Sequence, residues 1–139
     1  MAILLALDVG EVRVGTATAD STTGIAFSGE TFLRAEGEAE REILRIITEK
    51  EVKTMVVGLP LGPDGTKNKQ CSNIENFCRR IKRRIKVEIV YSDEYLSSQE
   101  ADEILGTRKG SRKTGKRDAV AAALILQGYL DSLKAKVAK

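Results

Sequence analysis

Ala2 to Leu7 form a nearly continuous apolar run that Asp8 interrupts. Such a run fits a central strand buried on both faces, because an edge strand would alternate apolar and polar positions. Arg13 to Ala19 is built of small and β-branched residues. Ile25 to Leu33 is a second extended stretch, set off by the turn residues Ser21-Thr22-Thr23-Gly24. Three strands joined by short turns predict an antiparallel meander.

The period then changes. Ala39, Ile43, Ile46 and Ile47 recur at helical spacing between charged residues, the stripe of an amphipathic helix lying on a sheet. Thr54 to Val57 is a β-branched strand running into Gly58-Leu59-Pro60, where proline stops the ladder. Cys71, Ile74, Cys78, Ile81 and Ile85 make a second helical stripe, and Val87 to Tyr91 a fifth strand ending at Ser92-Asp93-Glu94. Ser97-Ser98-Gln99-Glu100 has the form of a capping box and predicts a short helix through Leu105. Ala119 to Leu126 is apolar all round, so the last helix is expected to begin buried and turn polar only towards Lys134.

Hairpins followed by right-handed crossovers predict an α/β fold: a mixed five-stranded sheet of order 3-2-1-4-5, its first three strands antiparallel, with helices on both faces. No repeat, linker or low-complexity stretch divides residues 1–139, which read as a single domain.

Composition narrows the chemistry. The chain has 139 residues, no His and two Cys, so a Cys/His zinc site and every His-based triad are excluded. Cys71 and Cys78 fall on one helix roughly 10 Å apart at 1.5 Å per residue, too far for a disulfide, and read as reduced core thiols of a cytoplasmic protein. The apolar N-terminus lacks a basic flank and is too short to span a bilayer, so no membrane association is expected. Residues 1–51 hold ten acids and five bases, leaving the remainder at net +8 in a chain of net +3. An anionic partner is expected on that basic remainder.

Asp8 closes the central strand, and open α/β sheets place ligands at the carboxyl ends of their strands. The parallel fifth strand brings Asp93 and Glu94 to the same rim, and Asp118 opens the last helix. Each acid alone has an ordinary structural reading as a turn former, helix cap or macrodipole complement. Together they repel at a partly desolvated rim unless a cation holds them. Hard oxygen donors point to Mg2+ or Mn2+. Two such ions can activate water and stabilise the leaving oxygen in phosphodiester hydrolysis without any His base.

Asp8-Val9-Gly10-Glu11-Val12-Arg13-Val14-Gly15 has the form D-x-G-x-x-x-x-G, whose glycines are expected to permit a tight turn beside the carboxylate, with Arg13 either a phosphate contact or a solvated hairpin side chain. Gly110 to Arg117 nearly spells a Walker A loop but ends in Arg117 where a hydroxyl is required, and a helix precedes it, so that reading fails. What remains is a flexible segment, Gly106 to Arg117, carrying Arg108, Lys109, Arg112, Lys113, Lys116 and Arg117 with no acid, suited to holding a polyanion. Arg79 to Lys86 is also basic and reads first as a solvated helix face. Six scattered Phe and Tyr make no stacking platform.

Asp8-Val9-Gly10 through Gly15, Val57-Gly58-Leu59-Pro60-Leu61 with Asp64-Gly65-Thr66, Asp93 through Ser98, and Asp118 to Ala122 followed by Ile125 to Leu130 together resemble the YqgF/RuvX family over essentially the whole chain. The resemblance implies an RNase H-like fold and a nuclease maturing the 5′ end of pre-16S rRNA. It also implies that Asp8, one acid of the Asp93-Glu94 pair, and Asp118 are catalytic metal ligands. Neighbours on a strand point to opposite faces, so sequence leaves Asp93 and Glu94 both open; the longer reach of Glu94 favours it. Tyr95 stands where the family usually has Arg, and Val12 where it has a basic residue. The alternatives are a resolvase of four-way DNA junctions, which would act as a two-fold homodimer, and a non-catalytic rRNA-binding assembly factor.

Overall fold

The computed structural model describes residues 2–61, 64–93 and 116–137, with the backbone alone at 93, 116–117 and 135–137. The strands are β1 (Ile3–Val9), β2 (Arg13–Asp20), β3 (Ala26–Leu33), β4 (Thr54–Leu59) and β5 (Glu88–Asp93). They form one sheet of order β3-β2-β1-β4-β5, the expected order. β1 pairs antiparallel with β2 and parallel with β4; β2 and β3 are antiparallel, β4 and β5 parallel. The continuous apolar run of β1 is explained by its position, since Leu4, Leu5, Ala6 and Leu7 are all buried between two layers of helices.

Helices α1 (Glu38–Glu49) and α2 (Lys69–Arg84) cover one face, and α3 (Lys116–Val137) covers the other. On the first face Leu5, Leu7, Val9, Met55 and Val57 meet Ile43, Ile47, Ile74, Phe77 and Ile81. The second face is made of smaller residues: Ala6, Ala17 and Ala19 accept Ala122, Ile125 and Leu126 of α3. Small side chains on both partners let this helix lie close to the sheet. Both cysteines are free and buried in the first layer, as the sequence predicts.

Polar contacts fix the helices along the strands. Asn68 caps α2, accepting from the Cys71 amide at 3.0 Å and donating to the Pro60 carbonyl at 3.0 Å, which ties the start of α2 to the carboxyl end of β4. Gln127 of α3 donates to the Gly24 carbonyl and accepts from the Ala26 amide, both at 3.0 Å, and so clamps the helix to the β2–β3 turn. Arg34 donates to the Gly10 carbonyl at 2.8 Å and to Asn73 at 3.0 Å while its guanidinium covers the Phe77 ring at 5.1 Å. Burial is the main cause that lowers its proton affinity below the usual arginine value.

Two expectations are corrected. Lys116 and Arg117 belong to the first turn of α3, whereas the sequence pattern suggests a flexible segment there. Both are good helix formers, and an apolar pattern marks only where a helix becomes buried, never where it starts. Gly15 lies inside β2, opposite Asp8, and forms no turn; the turn is made by Gly10, whose amide donates to the Arg13 carbonyl at 2.8 Å. The predicted helix at 97–105 lies outside the described residues, and among the described residues no helix is long and apolar enough to cross a membrane.

Candidate active site

Leu4 and Ala6 of β1 pack on the α3 side, while Leu5, Leu7 and Val9 pack on the α1–α2 side. Strand alternation therefore turns Asp8 to the α3 side. Only 7 % of Asp8 is exposed, and among the described residues it is the one charged side chain buried to this degree. A carboxylate removed from water costs several kcal/mol unless opposite charge or hydrogen bonds compensate it.

The neighbours of Asp8 across the sheet are glycines. Gly15 of β2 is its direct partner, with the two Cα atoms about 5 Å apart as in any antiparallel pair. On the other side Leu7 pairs with Val57, which sets Gly58 level with Asp8. Gly58 is buried and opposes Ser92 of β5. The two positions level with Asp8 on the neighbouring strands therefore carry no side chain.

The first turn of α3 occupies the space over Gly15. A Cβ on that residue would lie 2.2 Å from the carbonyl carbon and 2.3 Å from the carbonyl oxygen of Asp118. Real Cβ atoms do not approach backbone that closely, so only glycine admits the helix here. Asp8 and Asp118, 110 positions apart in the sequence, thus flank a single residue. Arg13, two residues before Gly15 on β2, shares the same sheet face and is half-buried. Next to Gly15 the β2–β3 register shifts, and the buried Thr16 hydroxyl donates to the Glu30 carbonyl at 2.6 Å, holding this bulge.

The backbone of Asp93 is opposite Leu59, a position on the α1–α2 side of the sheet. Glu94, Arg108, Lys109, Arg112 and Lys113 lie outside the described residues. Lys116 and Arg117 are placed by backbone in the first turn of α3, directly before Asp118. Among the described residues, three acids, cysteines or histidines do not gather into a metal-binding group. The described carboxylates of the candidate site are Asp8 and Asp118, both adjoining Gly15. The donors available to a cation are all oxygen, because the chain has no His and both thiols are buried in the opposite layer. That set fits a hard divalent cation.

The part played by Gly15 is missed by sequence reasoning, in which its spacing from Gly10 suggests a loop. The one signal for it is a glycine inside a run of β-branched residues, which marks close approach of another backbone. Arg34 is missed as well. It fixes the Gly10 turn that follows Asp8, and nothing local in the sequence marks that role.

An apolar groove of about 520 Å³ lies at the other end of the sheet, lined by Leu4, Tyr129, Leu130 and Leu133 with Lys53 and Lys134. It contains no acid and is remote from the carboxylate rim.

The family described as RuvX, Holliday junction resolvase, matches residues 2–132. A relative from Syntrophus aciditrophicus, named "Putative pre-16S rRNA nuclease", is 35% identical over 134 residues, covering 94% of this chain and 89% of its own length. One of the same name from Paraburkholderia phymatum is 38% identical over 133 residues, covering 95% and 87%. Among solved structures, RuvC of Thermus thermophilus in complex with a Holliday junction substrate superposes with TM-score 0.60 at 12% identity over 96% of both chains. The fowlpox virus Holliday junction resolvase superposes with TM-score 0.52 at 15% identity, over 94% of this chain and 99% of its own. At these identities the two structures speak for the fold alone.

Proposed function

Because the chain belongs to the RuvX family, we infer that it is a nuclease whose carboxylate rim hydrolyses phosphodiester bonds in structured RNA, maturing the 5′ end of pre-16S rRNA in the cytoplasm. The observation that carries this reading is the meeting of Asp8 and Asp118 over Gly15. Two carboxylates brought from distant elements to one partly dry rim form a site for divalent cations.

Asp8, Asp118 and Glu94 would hold Mg2+ or Mn2+, two ions in the full site. The register of β5 supports Glu94 over Asp93, whose position is on the far side of the sheet. When bound, such ions polarise the phosphoryl group and make water a competent nucleophile near neutral pH. The chain's own residues do the rest. Gly15 and Gly58 supply no side chain beside Asp8, leaving room for a phosphate at the sheet edge. Arg13 shares that face and neutralises phosphate charge. Lys116 and Arg117, at the N-terminus of a 22-residue helix, attract the backbone electrostatically together with Arg108, Lys109, Arg112 and Lys113.

The test is cleavage of a pre-16S 5′ leader by the parent protein and by Asp8→Asn. The variant is expected to fold, to bind the RNA, and to cut at least about 10³-fold more slowly. Chelation of divalent ions should silence the parent, with Mg2+ or Mn2+ restoring it. Equal rates for parent and variant would remove this reading, and normal rRNA maturation in cells carrying Asp8→Asn would favour a non-catalytic assembly role. The family's own description favours a second substrate, four-way DNA junctions. Paired, symmetric nicks on such junctions by a homodimer, with the RNA leader left intact, would decide for it.

A further inference from the structure

We propose that the exposed face of α2 is a second nucleic-acid surface, which carries the phosphate backbone of an RNA duplex from the catalytic rim to a cationic concavity at the far end of the molecule. This rests on the nuclease reading above and adds a path for the substrate away from the site of cleavage.

The helix begins at the rim. Its cap, Asn68, is bonded to Pro60 just past β4, and a cleft of about 290 Å³ lined by Val9, Gly10, Arg34, Lys69 and Asn73 separates its first turns from the loop after Asp8. From there one exposed stripe, Lys69, Asn73, Asn76, Arg80 and Arg83, runs at i, i+4, i+7, i+11 and i+14 down the whole helix. No exposed residue of α2 is acidic; Glu75, its one acid, is half-buried and paired with Lys67 at 3.1 Å. The stripe ends beside a concavity of about 370 Å³ lined by Lys82, Arg83, Arg84, Ile85, Lys86 and Val87.

The four cations of this concavity make no ion pair among the described residues, although Glu88 follows two positions after Lys86. Other bases on the helices are paired: Arg45 of α1 with Glu42 and Glu49, and Arg80, within the stripe itself, with Glu40. Complementing the helix dipole would account for cations in the last turn. It does not account for Lys86 beyond the helix end, nor for the lack of exposed acids over the preceding turns. Among the residues of α2 and of the concavity no aromatic side chain is exposed, so they offer contact to phosphates rather than stacking to bases. At 1.5 Å per residue the 16-residue helix is about 24 Å long. An A-form RNA duplex rises about 2.8 Å per base pair, less than the 3.4 Å of B-DNA, so a duplex reaching from the rim to the concavity needs roughly nine base pairs on that flank.

The experiment measures RNA binding in an Asp8→Asn background, so that cleavage plays no part, with and without Lys82→Ala, Arg83→Ala, Arg84→Ala and Lys86→Ala together. The probes are a pre-16S 5′ leader with long duplex flanks and versions trimmed to about four base pairs on one flank or the other. On the long RNA the substitutions should weaken binding about tenfold or more near physiological salt and flatten the salt dependence by about 0.9 for each phosphate that is no longer neutralised. Trimming one particular flank should weaken binding equally, after which the substitutions cost nothing further. Arg83→Lys with Arg84→Lys should bind as the parent does, and thermal melting confirms that each variant is folded. Unchanged affinity and salt slope on the long RNA, or an equal weakening on every trimmed probe, would overturn the proposal. Failure of the Asp8-intact protein to cut RNA, with this coupling intact, would overturn the nuclease reading instead.

Discussion

Replacing Gly15 with Ala tests whether the seat of α3 determines the catalytic geometry. The added carbon would lie 2.2 Å from the Asp118 carbonyl carbon, where non-bonded carbons normally keep about 3.5–4.0 Å. The first turn of α3 or the middle of β2 must therefore retreat by more than about 1 Å. Both obstacles are backbone, so no rotamer change relieves them. Overpacking of this kind costs about 1–3 kcal/mol, which for a chain of this size lowers the melting temperature by roughly 3–15 °C. The same retreat moves Asp118 away from Asp8, and a 1 Å misplacement at a reacting centre can cost about 10²-fold in rate. Single-turnover cleavage, measured well below the melting temperature of the variant, separates the two effects. Gly128→Ala is the control: a Cβ there meets nothing within 4 Å, so stability should rise by about 1 kcal/mol, as in a helix interior, and cleavage should stay unchanged. If Gly15→Ala melts lower yet cuts at the parental rate, the position of Asp118 does not matter to the chemistry. If it neither melts lower nor cuts more slowly, α3 does not rest on Gly15.

Gln127→Ala removes both hydrogen bonds between α3 and the β2–β3 turn and should destabilise the fold by about 1–3 kcal/mol, read by urea denaturation. Little change in the midpoint would show that the clamp is replaced by water. Burial pushes the Cys78 thiol up to about 12, with contact to Tyr91 a smaller influence in the other direction. The native protein should therefore resist alkylation at Cys78 at pH 8–9 and react only on unfolding; rapid native labelling would refute the burial. For an acid raised in this way, its contribution to stability is complete below the unfolded thiol value near 9 and is lost as pH rises towards 12. Alkaline unfolding should steepen within that window.

The strand order was legible because it depends on patterns that span whole elements. A strand apolar at every position, such as Leu4 to Leu7, has to be central, and a meander followed by crossovers leaves few ways to arrange the rest. The rim position of Asp8 follows from the same fact. The sequence leaves both acids of the Asp93-Glu94 pair open, because the face each takes depends on the register of β5 against β4, where one residue of slip reverses every face. The start of α3 was equally hidden: Lys116 and Arg117 are exposed in character, and helix propensity alone does not separate a first turn from a loop. The importance of Gly15 depends on a helix more than a hundred residues away, which no local window contains.

Helix α3 is held at two heights on the sheet, where its Asp118 turn rests on Gly15 and where Gln127 grips the hairpin. Nine residues separate the two points, about 13.5 Å along the axis. Inserting or deleting one residue between them would rotate one anchor by about 100° relative to the other, so that only one could engage. Reading-frame-preserving indels should accordingly be tolerated past Asp131 and rejected between Ala119 and Leu126. A deep mutational scan of α3 would then show a protected window bounded by its two anchors.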